Sequence, residues 1–202
     1  MSKSQGTTAL GSLEHNPFKT LISTILSQRT RDENTEKVTK LLFAKYKTPK
    51  QIAKAPINDI EKLIKSSGFY RTKAKRIKEV AFIIHNQYKG KVPKDIDKLL
   101  EMPGVGRKTA NCVLVYAFGK EAIPVDTHVH RIANRIGLVN AKTPEKTELE
   151  LIKVIPKKYW LLVNELFVIH GKTICKPIKP NCKVCRIKKQ CDYYAKNRKS
   201  FE

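Results

Sequence analysis

Three observations predict an all-α fold for this chain of 202 residues. Apolar residues recur three and four apart along most of its length, no segment shows strand-like alternation, and capping residues or prolines stand where the periodic runs begin. Asn16 opens the first helix as N-cap, with Pro17 at a position where a missing N–H costs nothing, and Leu21, Ile22, Ile25 and Leu26 form its buried stripe. Asp32 is placed to cap the next helix, in which Val38, Leu41, Leu42 and Phe43 recur. Pro56 opens another, carrying Ile57, Ile60, Leu63 and Ile64, and Gly68 ends it. Arg71 to Tyr88 reads as one long helix with Ile77, Val80, Ala81 and Ile84 facing inward. After a glycine turn and its helix, Asp126 caps a helix from Thr127 to Ile136, and two more run from about Pro144 to Ile155 and from Lys158 to His170. From Gly171 onward Gly, Pro and Cys replace periodicity, so the tail cannot build a core of its own and needs a staple.

Composition narrows the partners. Lys and Arg total 41 against 18 Asp and Glu, a formal charge of +23, which points to a polyanion. The segment Arg71-Thr-Lys-Ala-Lys-Arg76 is one basic cluster and the stretch from Lys172 to Lys199 another; such runs commonly form a solvated face, but here they flank a candidate phosphate-binding turn. The first residues lack the apolar region of a signal peptide, and the longest uncharged apolar run, Cys112 to Gly119, is far too short to span a bilayer. The expectation is an intracellular protein of the cytoplasm or nucleoid with no membrane partner.

The turn is Pro103-Gly-Val-Gly-Arg-Lys-Thr-Ala-Asn111. Gly104 and Gly106 lack a Cβ, so the backbone can adopt left-handed angles and approach another chain closely. The unpaired N–H groups opening the next helix then point outward, and together with the helix dipole they suit a phosphate. Lys108 follows two residues after Gly106. A lysine that is desolvated or flanked by cations can lose its proton near neutral pH and attack an aldehyde-like carbon to form a Schiff base. The plainer alternative is a turn between packed helices beside an exposed lysine.

Asp126 lies eighteen residues after Lys108, in Val125-Asp-Thr-His-Val-His-Arg131. A helix cap accounts for it, and a carboxylate held rigidly at a helix start also suits stabilisation of a cationic sugar and proton transfer. His128 and His130 are neighbouring candidates for acid-base or phosphate work. In the tail, Cys175, Cys182, Cys185 and Cys191 fall in a C-x6-C-x2-C-x5-C pattern, a ligand set for a reducing compartment. Structural zinc usually joins two short knuckles across a longer gap, whereas one contiguous segment with one knuckle suits a bulky cluster ligated by four cysteines; both remain open from spacing alone. His170 reads as a helix-end contact because four cysteines already complete a site, and Cys112 as a small buried packing residue.

Taken in this order, the hairpin, the Val125-Asp-Thr-His-Val129 segment and the four-cysteine tail resemble endonuclease III, the iron-sulfur branch of the helix-hairpin-helix DNA glycosylases, over nearly the whole chain from about Pro17 to Cys191. The resemblance implies a six-helix barrel domain over 10–120, containing the helix-hairpin-helix at about 95–119, and an iron-sulfur domain over 1–9 and 121–202 with its cluster loop at 175–191. A cleft would separate the two. It also implies a monomer acting on damaged double-stranded DNA. Lys108 would be the nucleophile, Asp126 its supporting carboxylate, and the four cysteines the ligands of a 4Fe-4S cluster. Gly104, Val105, Gly106 and Arg107 would hold the DNA backbone, with Lys183 and Arg186 docking the tail. Leu26-Ser-Gln-Arg-Thr-Arg-Asp32 is similar to the loop that fills the gap left by a flipped base, and Gly68-Phe-Tyr-Arg-Thr-Lys-Ala74 to the loop that wedges the opposite strand.

Two positions depart from that pattern. Arg29 stands where the family commonly has a gap-filling glutamine, with Gln28 just before it, and either is long enough to pair with an orphaned base. Phe69 stands where an aliphatic wedge is usual; it can stack between bases or simply pack in the core. The activity implied is removal of oxidised pyrimidines followed by β-elimination at the abasic site. Two rivals are a monofunctional adenine or thymine mismatch glycosylase and a non-catalytic hairpin protein. Monofunctional relatives lack a lysine at position 108, the adenine branch carries a glutamate where Thr24 stands, and mere binding requires neither Lys108 nor Asp126.

Overall fold

The computed structural model describes residues 16–200. These residues are helical and contain no strand. The chain divides into two compact units between Lys120 and Glu121.

The first unit holds seven helices: α1 (Pro17–Ser27), α2 (Asp32–Lys45), α3 (Pro49–Lys54), α4 (Ile57–Leu63), α5 (Tyr70–Asn86), α6 (Ile96–Leu100) and α7 (Arg107–Phe118). Asn16 caps α1 through its side chain, which accepts from the Lys19 N–H at 3.1 Å. α2 differs in detail from the expectation. Asp32 is its first residue, where a carboxylate favours the positive end of the dipole, while Arg31 occupies the cap without a side-chain bond. Leu41 is exposed and Phe43 only partly buried, so the inward stripe of α2 is Val38 and Leu42 with Thr35 and Thr39. α3 is absent from the sequence reading; it is short and buries one large residue, Ile52, but starts with a capping box in which Thr48 and Gln51 satisfy each other's backbone. α5 packs against α3 and α4, and α1 against α2 and α7. Leu21, Ile22, Ile25, Leu26, Ile60, Ile64, Ile77, Ile84 and Leu99 are fully enclosed in the resulting core.

The second unit contains α8 (Thr127–Arg135), α9 (Pro144–Val154), α10 (Trp160–Thr173) and α11 (Asp192–Lys196). α8 packs against both α9 and α10 around Ile123, Val129, Ala133, Leu151 and Val163. The Trp160 indole donates to Ile155 O at 2.7 Å and fixes the corner before α10. Between α10 and α11 the chain has only short 3-10 turns, at Cys182–Val184 and Lys188–Gln190, and among these tail residues Cys182 alone is buried up to α11. No helix of the described residues is long and apolar enough to cross a membrane.

Candidate functional site

α6 and α7 make the hairpin. Asp95 caps α6 by accepting from Lys98 N at 3.1 Å, and the Val105 N–H closes the turn onto Met102 O at 3.0 Å. Gly104 adopts φ +78°, and a Cβ there would lie 2.6 Å from Arg76 Cδ. Gly106 behaves otherwise than expected: it is extended at φ −90° and serves as the N-cap of α7. As a glycine it offers no capping side chain, and the first turn of α7 contains no acidic residue, so those N–H groups suit an external anion. Arg107 and Lys108, the first two residues of α7, are partly buried, while Thr109 to Val115 form its buried body with Cys112 among them. Val105 is buried beneath the turn.

Two further loops stand by the hairpin. The Gln28 amide donates to Gly104 O at 2.9 Å and to Thr109 Oγ1 at 3.3 Å, so this side chain braces the hairpin. Arg29 is exposed at φ +51° and Phe69 is 63% exposed at φ +57°, with the Arg29 guanidinium 5.7 Å from the ring centroid. Core packing is therefore excluded for Phe69. Positive φ is rare for residues with a Cβ and concentrates at functional sites. Lys73, read within a basic cluster, is instead 3% exposed. Its ammonium donates to Leu26 O, Gln28 O, Thr30 Oγ1 and Ser67 Oγ at 2.6 to 2.9 Å, and burial lowers its pKa to about 8. Helical phase could have revealed it, because Lys73 lies four residues before Ile77 and seven before Val80 on the inward stripe of α5.

In the second unit the Asp126 carboxylate caps α8, accepting from His128 N at 2.8 Å and Val129 N at 2.9 Å. His128 is held below the usual histidine range chiefly by burial, with Arg131 and Lys172 adding to the effect and Asp126 opposing it. His130 is bonded to Thr147 Oγ1 at 2.7 Å, which gives it a structural role within the α8–α9 contact.

The opposite end of α8 clasps the cysteine loop. Arg131 donates to Cys175 O at 2.9 Å, and Arg135 donates to Lys176 O at 2.7 Å, Pro177 O at 2.8 Å and Cys175 Sγ at 3.4 Å. The Cys191 thiol in turn reaches Arg135 O at 3.4 Å, and the Arg135 guanidinium lies 4.5 Å from the Tyr193 ring centroid. Neither arginine's role was visible in the sequence. Cys175, Cys182, Cys185 and Cys191 line one cavity together with Arg135, Ile136 and His170. Burial raises the Cys182 thiol pKa, and charge on Cys175, Cys185 and Cys191 raises it further, while Arg135 opposes them. Thiols gathered around one cavity that oppose one another's ionisation are a donor set whose charge a cationic group would neutralise. Among the described residues no three His, Cys, Asp or Glu side chains are drawn up around a single-ion position. His170 Nε2 lies 3.9 Å from Cys185 Sγ. Lys183 and Arg186 are exposed on the same loop.

Known proteins resemble the chain throughout these elements. Residues 22–157 match the HhH-GPD superfamily of base excision DNA repair proteins. The endonuclease III of Thermotoga maritima is 52% identical over 186 residues, 92% of this chain and 87% of that protein. A solved endonuclease III trapped as a covalent intermediate with DNA superposes with TM-score 0.86 at 39% identity, covering 93% of this chain and 89% of that one. A thermostable thymine-DNA glycosylase superposes with TM-score 0.84 at 33% identity, covering 94% and 89%. With its superfamily match covering most of the chain and a relative this similar over 92% of it, the protein belongs to the endonuclease III family of the HhH-GPD superfamily.

Proposed function

We propose that this protein is a bifunctional base excision repair enzyme that removes oxidised pyrimidines from double-stranded DNA and cleaves the resulting abasic site by β-elimination. The observation that carries this reading is Lys108 in the first turn of α7, directly behind a hairpin whose N–H groups suit a phosphate. A relative at 39% identity that forms a covalent intermediate with DNA supports it.

The target nucleotide must leave the stack before its sugar can be attacked, and damage makes this cheaper. The Lys108 amine attacks C1′, the glycosidic bond breaks, and the base departs with the electron pair and takes up a proton. Ring opening leaves a Schiff base between Nζ and C1′. Loss of a C2′ proton then expels the 3′ phosphate by breaking the C3′–O bond, and water hydrolyses the adduct to free the lysine. Asp126, rigid in its cap, stabilises the cationic sugar and assists these proton transfers. Gly104, Val105, Gly106 and Arg107 grip the backbone. Because Gln28 is already bonded to the hairpin, Arg29 fills the gap on the lesion strand and Phe69 wedges the other.

Cys175, Cys182, Cys185 and Cys191 would hold a 4Fe-4S cluster, which when bound supplies the cross-link that orders the tail and presents Lys183 and Arg186 to DNA. One chain carries all these parts, consistent with a monomer working wherever chromosomal DNA resides.

Borohydride reduction with abasic-site DNA tests the chemistry. The wild type should yield a covalent protein–DNA adduct and Lys108→Ala none. Base release without an adduct would instead favour a monofunctional mismatch glycosylase, the reading raised by the likeness to the thymine-DNA glycosylase.

A further inference from the structure

The geometry points to Lys73 as a positioning residue that welds the Leu26–Thr30 turn to the Ser67–Phe69 turn, so that Arg29 and Phe69 enter a distorted duplex as one preset pair. This rests on the reading of the protein as an enzyme that opens DNA at a lesion.

Three sets of contacts carry it. Lys73 is nearly fully buried, and its three ammonium hydrogens are shared among four oxygens: Leu26 O, Gln28 O and Thr30 Oγ1 from one turn and Ser67 Oγ from the other. The turns are also knitted directly, since Gly68 N donates to Thr30 Oγ1 at 3.1 Å and Ser67 Oγ lies 3.1 Å from Thr30 Oγ1 and 3.3 Å from Leu26 O. Finally, the backbones approach so closely that a Cβ at Gly68 would lie 2.6 Å from Arg29 O. Immediately outside this joint stand Arg29 and Phe69, both at positive φ and in cation–π range of each other. A residue in an uncommon backbone region persists only where its surroundings over-determine it. Lys73 supplies that determination from beneath both turns. The ammonium's contacts are two carbonyls and two hydroxyls, with no carboxylate among them, so it is the geometry of the oxygens that holds it.

Prepaying the order of both loops lowers the cost of engaging DNA only where something is inserted, that is, at an unstacked site. The expected signature is therefore a loss of lesion preference in place of a general loss of binding. Three duplexes suffice: one undamaged, one carrying a tetrahydrofuran abasic analogue opposite 2-aminopurine, whose fluorescence rises when it is unstacked, and one with a true abasic site for adduct formation. Lys73→Met should weaken binding to the analogue duplex about tenfold, the loss of one charged hydrogen-bonded joint. It should also diminish the fluorescence rise and slow adduct formation on abasic DNA at saturating enzyme by less than it weakens affinity. Thr30→Val removes the hydroxyl shared by both turns and should shift the same readouts the same way by a smaller factor, so it decides the matter if Lys73→Met does not fold. Equal weakening on the undamaged and analogue duplexes, or a wild-type fluorescence rise in a folded variant, overturns the proposal. A wild-type protein that brightens 2-aminopurine but forms no borohydride adduct would sink the lyase reading and leave the role of Lys73 standing.

Discussion

A methyl group added at Gly104 would lie 2.6 Å from Arg76 Cδ on a backbone at φ +78°, whereas one added at Gly106, at φ −90°, would meet nothing within 4 Å. Gly104→Ala should therefore lose about 1–3 kcal/mol of stability through left-handed strain, read as a lower urea midpoint. Gly106→Ala should keep its stability within about 1 kcal/mol, because alanine is a poorer cap but a less flexible unfolded residue. On the proposed role of the hairpin N–H groups in holding a phosphate, it should nevertheless weaken DNA binding, because a methyl at the cap of α7 crowds that approach. Lys73 brings a pH dependence of definite sign. Its pKa is lowered to about 8 in the folded protein against 10.5 unfolded, so above pH 8 the unfolded chain holds the proton more tightly than the native state does. The contribution of this group to stability must then rise as pH climbs from about 8 toward 10.5. Urea titrations across that window should show a less positive slope in Lys73→Met than in wild type; parallel slopes would mean the amine is not desolvated.

At the scale of elements, the side chain at the start of α8 is a cap and, in the proposed function, also the supporting carboxylate, and the two roles can be separated. Asparagine caps a helix about as well as aspartate but carries no charge. Asp126→Asn should hold stability within about 0.5 kcal/mol and Asp126→Ala should lose about 1 kcal/mol, whereas both should cut single-turnover base release at least about 100-fold. A near-normal rate in Asp126→Asn would reduce this carboxylate to a cap. The cap itself was legible because Asp ahead of a periodic run has one local explanation, and the same logic located α1, α4 and α9 from Asn16, Pro56 and Pro144. Where elements are short or their exposure is decided by tertiary contact, that logic fails. α3 has too few apolar residues to show a period, and the exposure of Leu41 depends on which face of α2 its neighbours cover. The left-handed backbones at Arg29 and Phe69 leave no trace in residue type, since neither is glycine or asparagine. Nor does sequence reveal that Arg131 and Arg135, one turn apart on α8, bind a loop forty residues away in the chain.

Over the whole molecule, a charge of +23 and a tail without a core act together. The hairpin lysine and the four cysteines stand out in the sequence as candidates because the chemistry proposed for them constrains spacing, whereas the buried ammonium of Lys73 and the clasp on the tail arise only when distant segments meet. Each phosphate neutralised adds about 0.9 to the log–log salt slope, so replacing both Lys183 and Arg186 by alanine should reduce that slope by about 1.8 on lesion and undamaged duplex alike, in contrast to the lesion-selective loss expected from Lys73. In the proposed function a cluster staples the tail that presents those two side chains, so removing one of its four cysteines should have the same effect by another route. Cys182 is the buried member of the four. Cys182→Ala should lose absorbance near roughly 400 nm together with its iron and sulfide. It should also become open to trypsin at the lysines between Cys175 and Cys191, because the tail has almost no apolar contacts of its own to fall back on. The first unit, with Leu21, Ile60, Ile77 and Leu99 enclosed in a separate core, should retain its helical signal under the same digestion. A wild-type protein that is colourless and carries zinc would replace the cluster assignment while leaving the staple; a Cys182→Ala tail as trypsin-resistant as wild type would remove the staple as well.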